Sequence, residues 1–330
     1  MTAQLSQASQ LRGHRPRLQR CAKLIATEVL LKLINFSKPA TDGTHVGCHW
    51  GSDYLDITRA SEEGILPFRG VTTIEDVLRI DKGLESLETK LRHLDGGARD
   101  LQGCVLRGAD IVLKAPVLHP QKLIGIGLNY RDHAEESKVP IPKAPLLFGM
   151  YANAIVGPDA PIVIPPATNQ VDYEAELAVV IGSRACRVGV DEALQCVAGY
   201  TIVNDVSARD LQFGEKQWTR GKSIDTFAPM GPCLVTRSEL GSGDGLGIEL
   251  RLNGRTLQKS NTRNLIFNVP ALVSHISQTM TLEPGDVIST GTPAGVGYVR
   301  NPPIFLKHGD SVEIEIEGIG MLRNPVFHLD

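Results

Sequence analysis

Residues 171–182 read V-D-Y-E-A-E-L-A-V-V-I-G, and the stretch 177–181 is apolar without interruption. A run this short and continuous predicts a strand buried on both faces. From residue 114 onward the chain is rich in similar short apolar stretches punctuated by Pro and Gly. They predict strands at 123–126, 146–148, 162–164, 176–181, 199–203, 233–235, 248–252, 287–289 and 312–316. Helical spacing is sparse in the same region, at 190–197, 207–212 and 269–279. This argues against regular βαβ alternation and for an α+β, predominantly β fold. The ten or so strands after residue 120 are expected to close into one large sheet system. The sequence contains no internal repeat and no low-complexity segment.

The first third has a different texture. Residues 31–36 alternate like a strand, 46–50 and 54–57 are strand-like, and 73–79 and 84–94 have helical spacing. Thr72 or Thr73 is placed to cap the first of these helices. The Gly96-Gly97 pair marks a loop. The expected division is therefore a small N-terminal α+β lobe at 29–112 and a larger unit at 113–330. Residues 1–28 are set apart by charge. Arg12, Arg15, Arg17, Arg20 and Lys23 fall in the first 27 positions without one acidic residue. That pattern fits an organellar transit peptide, with a solvated, frayed tail as the alternative.

The formal net charge of −3 (34 basic, 37 acidic residues) hides this asymmetry. Without the five basic residues the chain holds 29 basic against 37 acidic, or −8. Such a balance gives no reason to expect a nucleic-acid partner, and no apolar run approaches the ~18 residues of a membrane span. Six scattered cysteines without a C-x-x-C pair predict reduced, packed thiols rather than a zinc site.

Four segments could carry chemistry. Glu174 and Glu176 lie two apart, so on a strand they point to the same side. Two like charges entering a buried strand resist ionising unless a cation offsets them, and hard oxygen donors suit Mg2+, Mn2+ or Ca2+. A bare Glu-x-Glu is more often a solvated strand face. Asp205 adds a third carboxylate at the end of the apolar stretch 200–204, followed by a helix start in which Ser207 and Asp210 fit a capping box. Arg209 and Gln212 then share a helix face beside the proposed cation. The second segment, G-I-G-L-N-Y-R-D-H-A-E-E at 125–136, has Tyr130 where a dinucleotide loop needs its third Gly. It instead brings His133 and Glu136 to i, i+3 on a short helix, where a carboxylate could hold an imidazole as a base. Third, the polar loop 217–231 contains Lys222, a possible clamp for a substrate oxygen. Fourth, T-G-T-P-A-G-V-G at 290–297 exposes backbone N–H groups and the Thr292 hydroxyl but lacks the Lys of a Walker A loop. Each segment alone can also be read as a structural loop.

In combination, N-Y-x-D-H-x-x-E, D-Y-E-x-E-L, N-D-V-S-A-R-D-x-Q, G-K-x-x-D-T-F-x-P-x-G-P and T-G-T-P-x-G-V-G resemble the fumarylacetoacetate hydrolase family across about residues 110–326. The resemblance implies a mixed β-roll, a homodimer, and a catalytic unit at 113–330. It implies Glu174, Glu176 and Asp205 as ligands of Mg2+ (or Mn2+), with no organic cofactor. His133 and Glu136 would form a dyad on a lid, with Lys222 beside them, and Arg209, Gln212 and Thr292 would hold the substrate. The segment 143–148 and the ending around 305–310 resemble most a mitochondrial branch whose members are implied to act on oxaloacetate as keto–enol tautomerases. Other branches hydrolyse acylpyruvates or fumarylacetoacetate-type compounds, or decarboxylate oxaloacetate. All these reactions pass through an enolate that a divalent cation stabilises, so the family residues leave them undivided.

Overall fold

The computed structural model describes residues 31–39, 41, 43–94, 101 and 103–329. The basic segment 1–28 and the expected Gly96-Gly97 loop lie outside the described residues.

All seven residues of the strand Ala175–Ile181 are buried. It pairs antiparallel with Val197–Asn204 on one side and with Val287–Ser289 on the other. Leu177, Val179 and Ile181 enter one hydrophobic cluster, whereas Ala178 and Val180 enter a second. Alternate side chains of one apolar run thus feed two cores, which is why the run has no polar phase.

The strand lies within a twelve-stranded mixed sheet. Its middle runs in the order Lys32–Ser37, Ala228–Thr236, Val197–Asn204, Ala175–Ile181, Val287–Ser289, Leu123–Gly127 and Leu146–Met150. One face is covered by a five-stranded sheet that contributes Ile248, Leu250, Ile314, Ile316 and Leu322 to the first cluster, together with the helix Val269–Ser277. The other face is covered by helices of the first third through Ile57, Ile74, Val77 and Leu87. The architecture is the sheet-dominated α+β one that the sequence predicts.

Two expectations need correction. The strands after residue 120 divide between two large sheets and one two-stranded ladder rather than closing into one. Gly247–Leu252, Arg255–Asn261, Ser311–Ile316 and Gly320–His328 join Ile162–Ile164 in the five-stranded sheet. Meanwhile Lys32–Ser37 pairs with Ala228–Thr236, Leu33 opposite Leu234, so strands of the first third extend the large sheet. Secondly, Thr73 caps its helix in a capping box with Asp76, but Ser207 and Asp210 form none. The helix runs Arg209–Gly214, Ser207 donates to the Asp205 carbonyl (3.0 Å), and Asp210 accepts from Thr168 (2.6 Å). Ser207 is instead part of a two-residue ladder in which it pairs with Asp172. Among the described residues no helix is long and apolar enough to cross a membrane.

Candidate active site

The register of the central strands places the carboxylates. Ala175 pairs with Asn204, so Glu174 and Asp205 meet where the two strands end. The Asp205 amide donates to the Glu174 carbonyl (3.0 Å), and the Glu174 amide donates to Asn204 Oδ1 (3.1 Å). Glu176 lies two residues further along. One oxygen from each of Glu174, Glu176 and Asp205 lies within 4.8 Å of the others, and all three residues are buried. Lys222 Nζ donates to Glu174 and Asp205, both at 2.7 Å, and Arg209 Nη2 donates to Glu174 at 2.7 Å. Among the described residues Glu176 accepts only from neutral donors, Ser289 Oγ (2.6 Å) and the Gly291 amide (2.8 Å).

Charge is therefore unevenly matched. Burial opposes ionisation of Glu174, but Lys222 and Arg209 outweigh it and bring its carboxyl down to about 2. Burial pushes Asp205 up to about 7, with Lys222 opposing and Glu174 adding. Glu176 rises well above the carboxylate range through burial and the charges of Asp205 and Glu174. Asp205 Oδ1 is buried without a hydrogen-bond partner among the described residues. An orphaned oxygen and two under-compensated carboxylates in an all-oxygen donor set fit a hard divalent cation and do not fit zinc.

The cluster lines a cavity of about 200 Å3. Of the residues named from the sequence, His133, Glu174, Glu176, Asp205, Arg209, Gln212, Lys222 and Thr292 all border it. Glu136 stands behind His133. Its Oε2 lies 3.6 Å from His133 Nδ1 and accepts from the Gly295 amide (2.9 Å). The helix Arg131–Glu136 that carries this pair is docked, with Ser260 donating to Asp132 (2.5 Å) and Arg131 donating to the Leu265 carbonyl (2.7 Å). Arg209 is largely committed to protein groups: besides Glu174 it serves Asp172 through Nε (2.9 Å) and Gln212 Oε1 through Nη1 (2.9 Å). Gln212, with its Oε1 taken by Arg209, borders the cavity. Thr292 Oγ1 accepts from Gln258 (2.9 Å).

Sequence reasoning missed Asp172, Phe148, Trp218, Gln258 and Tyr298. It also read Gly125 and Gly127 only as a failed dinucleotide loop. They allow aromatic rings to approach the strand. A Cβ at Gly125 would collide with the Phe148 ring, and one at Gly127 would come within 2.7 Å of Trp218. These rings pack edge to face at 5.5 Å, and Phe148 lies 5.3 Å from Lys222 Nζ. Gly125→Ala is therefore expected to cost about 1–3 kcal/mol by overpacking and to weaken the near-ultraviolet dichroism of Trp218. A denaturant melt matching the parent would show that Phe148 yields without cost.

Residues 122–327 match the family model described as Fumarylacetoacetate (FAA) hydrolase C-terminal. The chain is 42% identical over 298 residues to a Bos taurus protein named "Oxaloacetate tautomerase FAHD2A, mitochondrial", covering 90% of this chain and 91% of that protein. Among solved structures it resembles a fumarylacetoacetate hydrolase from Exiguobacterium antarcticum, with a TM-score of 0.75 and 34% identity over 91% of this chain and 100% of the other. It also resembles 5-carboxymethyl-2-hydroxymuconate delta-isomerase from Mycobacterium smegmatis, with a TM-score of 0.69 and 35% identity over 91% and 99% of the two chains.

Proposed function

The chain belongs to the fumarylacetoacetate hydrolase family, and on that premise we propose that it is a divalent-cation-dependent oxaloacetate keto–enol tautomerase. The observation that carries the metal chemistry is the buried Glu174–Glu176–Asp205 cluster at the base of a small cavity. The bovine relative, named for this reaction, directs the choice among enolate chemistries. Mg2+ is the proposed ion, with Mn2+ or Ca2+ as substitutes. When bound, it supplies a Lewis acid for the 2-oxo group and the adjoining carboxylate.

The protein's own groups do the rest. In the enol-to-keto direction C3 gains a proton and the C2 hydroxyl loses one. His133, buried beside the cavity with Glu136 behind it, is the proposed proton carrier. Lys222 holds Glu174 and Asp205 in place and brings its charge to the developing oxyanion. The Gln212 amide and the Thr292 hydroxyl orient substrate oxygens, and Arg209 keeps Gln212 turned toward them.

Added enzyme should speed the loss of enol absorbance from fresh enol-oxaloacetate without releasing pyruvate or CO2. A rate equal to buffer plus Mg2+ alone would refute the reading. His133→Ala should leave Mn2+ affinity nearly unchanged and lower turnover by at least about 100-fold. Retained turnover would assign the proton to another group.

One observation favours a second reading, acylpyruvate hydrolysis. The cavity is also lined by the apolar side chains of Ile126, Leu128, Val139, Phe148 and Trp218, and the two lining cations, Lys222 and Arg209, are already paired. Such a lining suits an acyl tail better than a second carboxylate. In that reaction water would add across a C–C bond of acetylpyruvate to give acetate and pyruvate, so pyruvate release distinguishes the two.

We further propose a mitochondrial location, supported by the relative's name and the acid-free basic segment 1–27. Fractionation that finds the protein only in the cytosol would exclude it. The homodimer implied by the family resemblance predicts the mass of two chains in sedimentation equilibrium.

A further inference from the structure

We propose that Asp172 is a positioning residue which, by holding Arg209, sets how tightly Glu174, Glu176 and Asp205 take a divalent cation. The inference rests on the metal reading above but concerns a residue outside the cluster.

Asp172 is fully buried, and four N–H groups donate to its carboxylate. Oδ1 accepts from the amides of Tyr173 (2.8 Å) and Gly297 (2.7 Å). Oδ2 accepts from the Tyr298 amide (3.1 Å) and from Arg209 Nε (2.9 Å), and Arg209 Nη2 lies 2.8 Å from it in an ion pair. The seat is closely built: a Cβ at Gly297 would fall 2.5 Å from Asp172 Oδ1 and would collide with the Ile304 carbonyl oxygen. The Tyr298 ring then lies against the guanidinium, 4.5 Å from Arg209 Cζ.

This arrangement divides one positive charge between two carboxylates. Arg209 Nη2 reaches Asp172 at 2.8 Å and Glu174 at 2.7 Å. Glu174 therefore receives only one corner of a planar fork that could engage a carboxylate with two parallel bonds. Without the charge on Asp172, the Nε side is held only weakly, by the Gln212 contact at Nη1 and the Tyr298 ring, and Arg209 can turn its full fork onto Glu174. A carboxylate satisfied in that way has less to offer a metal ion. Partners that orient ligand groups in this manner commonly change metal affinity by about 10–100-fold.

The test is a double-mutant cycle read by calorimetric titration with Mn2+ in the absence of substrate, on the parent, Asp172→Asn, Arg209→Gln and the double variant. Asp172→Asn should weaken Mn2+ binding by about tenfold. In the Arg209→Gln background the same change should alter it by less than about twofold, because the route through Arg209 is already gone. A residue that only supported the fold, or acted on the ion by its charge alone, would give the tenfold loss in both backgrounds, and that result overturns the proposal. So does Mn2+ affinity within twofold of the parent for Asp172→Asn. If Asp172→Asn does not fold, Arg209→Gln and the double variant, which removes both members of the buried pair together, decide it: equal affinity supports the proposal and a tenfold difference overturns it. A parent protein that takes up no Mn2+ would instead overturn the metal reading of the cluster, and this inference with it.

Discussion

Glu176→Gln is expected to abolish divalent-cation binding and to cut tautomerase turnover by about a thousandfold. The magnitude corresponds to losing about 4 kcal/mol of charge stabilisation at about 1.36 kcal/mol per tenfold in rate. The substitution is nearly isosteric, and the amide oxygen it introduces could still accept the hydrogen bonds that Ser289 and Gly291 donate to the native carboxylate. What it removes is the one member of the cluster that has no cationic partner. For the same reason the metal-free variant should melt no lower than the parent, since an uncharged amide replaces a carboxyl whose ionisation burial and its neighbours already oppose. Calorimetry that finds parental Mg2+ binding would overturn the role given to Glu176. A lower melting temperature would show that the side chain is held for structure.

Lys222→Met should act in the opposite sense on stability. Lys222 is 2% exposed and is the ammonium between Glu174 and Asp205. Met fills a similar volume but leaves two buried carboxylates facing each other, and breaking a buried pair on one side costs about 3–5 kcal/mol. Metal-free, the variant should therefore lose about that much in denaturant unfolding. Saturating Mg2+ should restore part of the loss, because an ion that binds only the native state stabilises it by mass action and here also replaces the missing charge. Turnover should stay low, since the charge beside the reacting oxygen is gone. Equal stability of variant and parent without metal would mean that the carboxylates can share protons at no cost, and would remove the argument for Lys222 as their counter-charge.

How much of this was readable in the sequence depended on the range over which each signal acts. The apolar phase of 177–181 named a doubly buried strand, and the strand Ala175–Ile181 is one. A cap was expected at Thr72 or Thr73, and Thr73 forms it with Asp76, a contact settled within four residues. Ser207 and Asp210 had the same spacing and formed none, because Asp172 and Thr168, more than 30 residues earlier in the chain, claimed them first. Strands Arg255–Asn261 and Gly320–His328 were missed for a related reason. R-T-L-Q-K-S-N and G-M-L-R-N-P-V-F-H carry few consecutive apolar residues, and their pairing is dictated by partners in the second sheet. At the site, the carboxylate cluster and the His133–Glu136 pair were visible, whereas the ion pairs that tie cations to those carboxylates were not. Arg209 read as a free hand for substrate, yet three protein side chains engage its guanidinium. Asp172 sat inside the same motif as Glu174 and Glu176, and only the arrival of Gly297 and Tyr298 from 125 residues away gives it its work.

The placement of Glu176 on a strand flanked by both cores has a consequence for how the protein would fail. A binding loop at a molecule's surface can loosen while the body stays intact, so that activity fades on warming before any melting is seen. Here the strand that carries Glu176 is hydrogen-bonded to a neighbour on each side and buried above and below, and Gln258 from the second sheet bonds both the Ala175 amide and Thr292. The carboxylates cannot drift apart unless those ladders open, which is an event of the whole sheet. Thermal inactivation should then coincide with loss of the β-sheet signal, and the amides of 175–181 should be among the last in the chain to exchange with solvent.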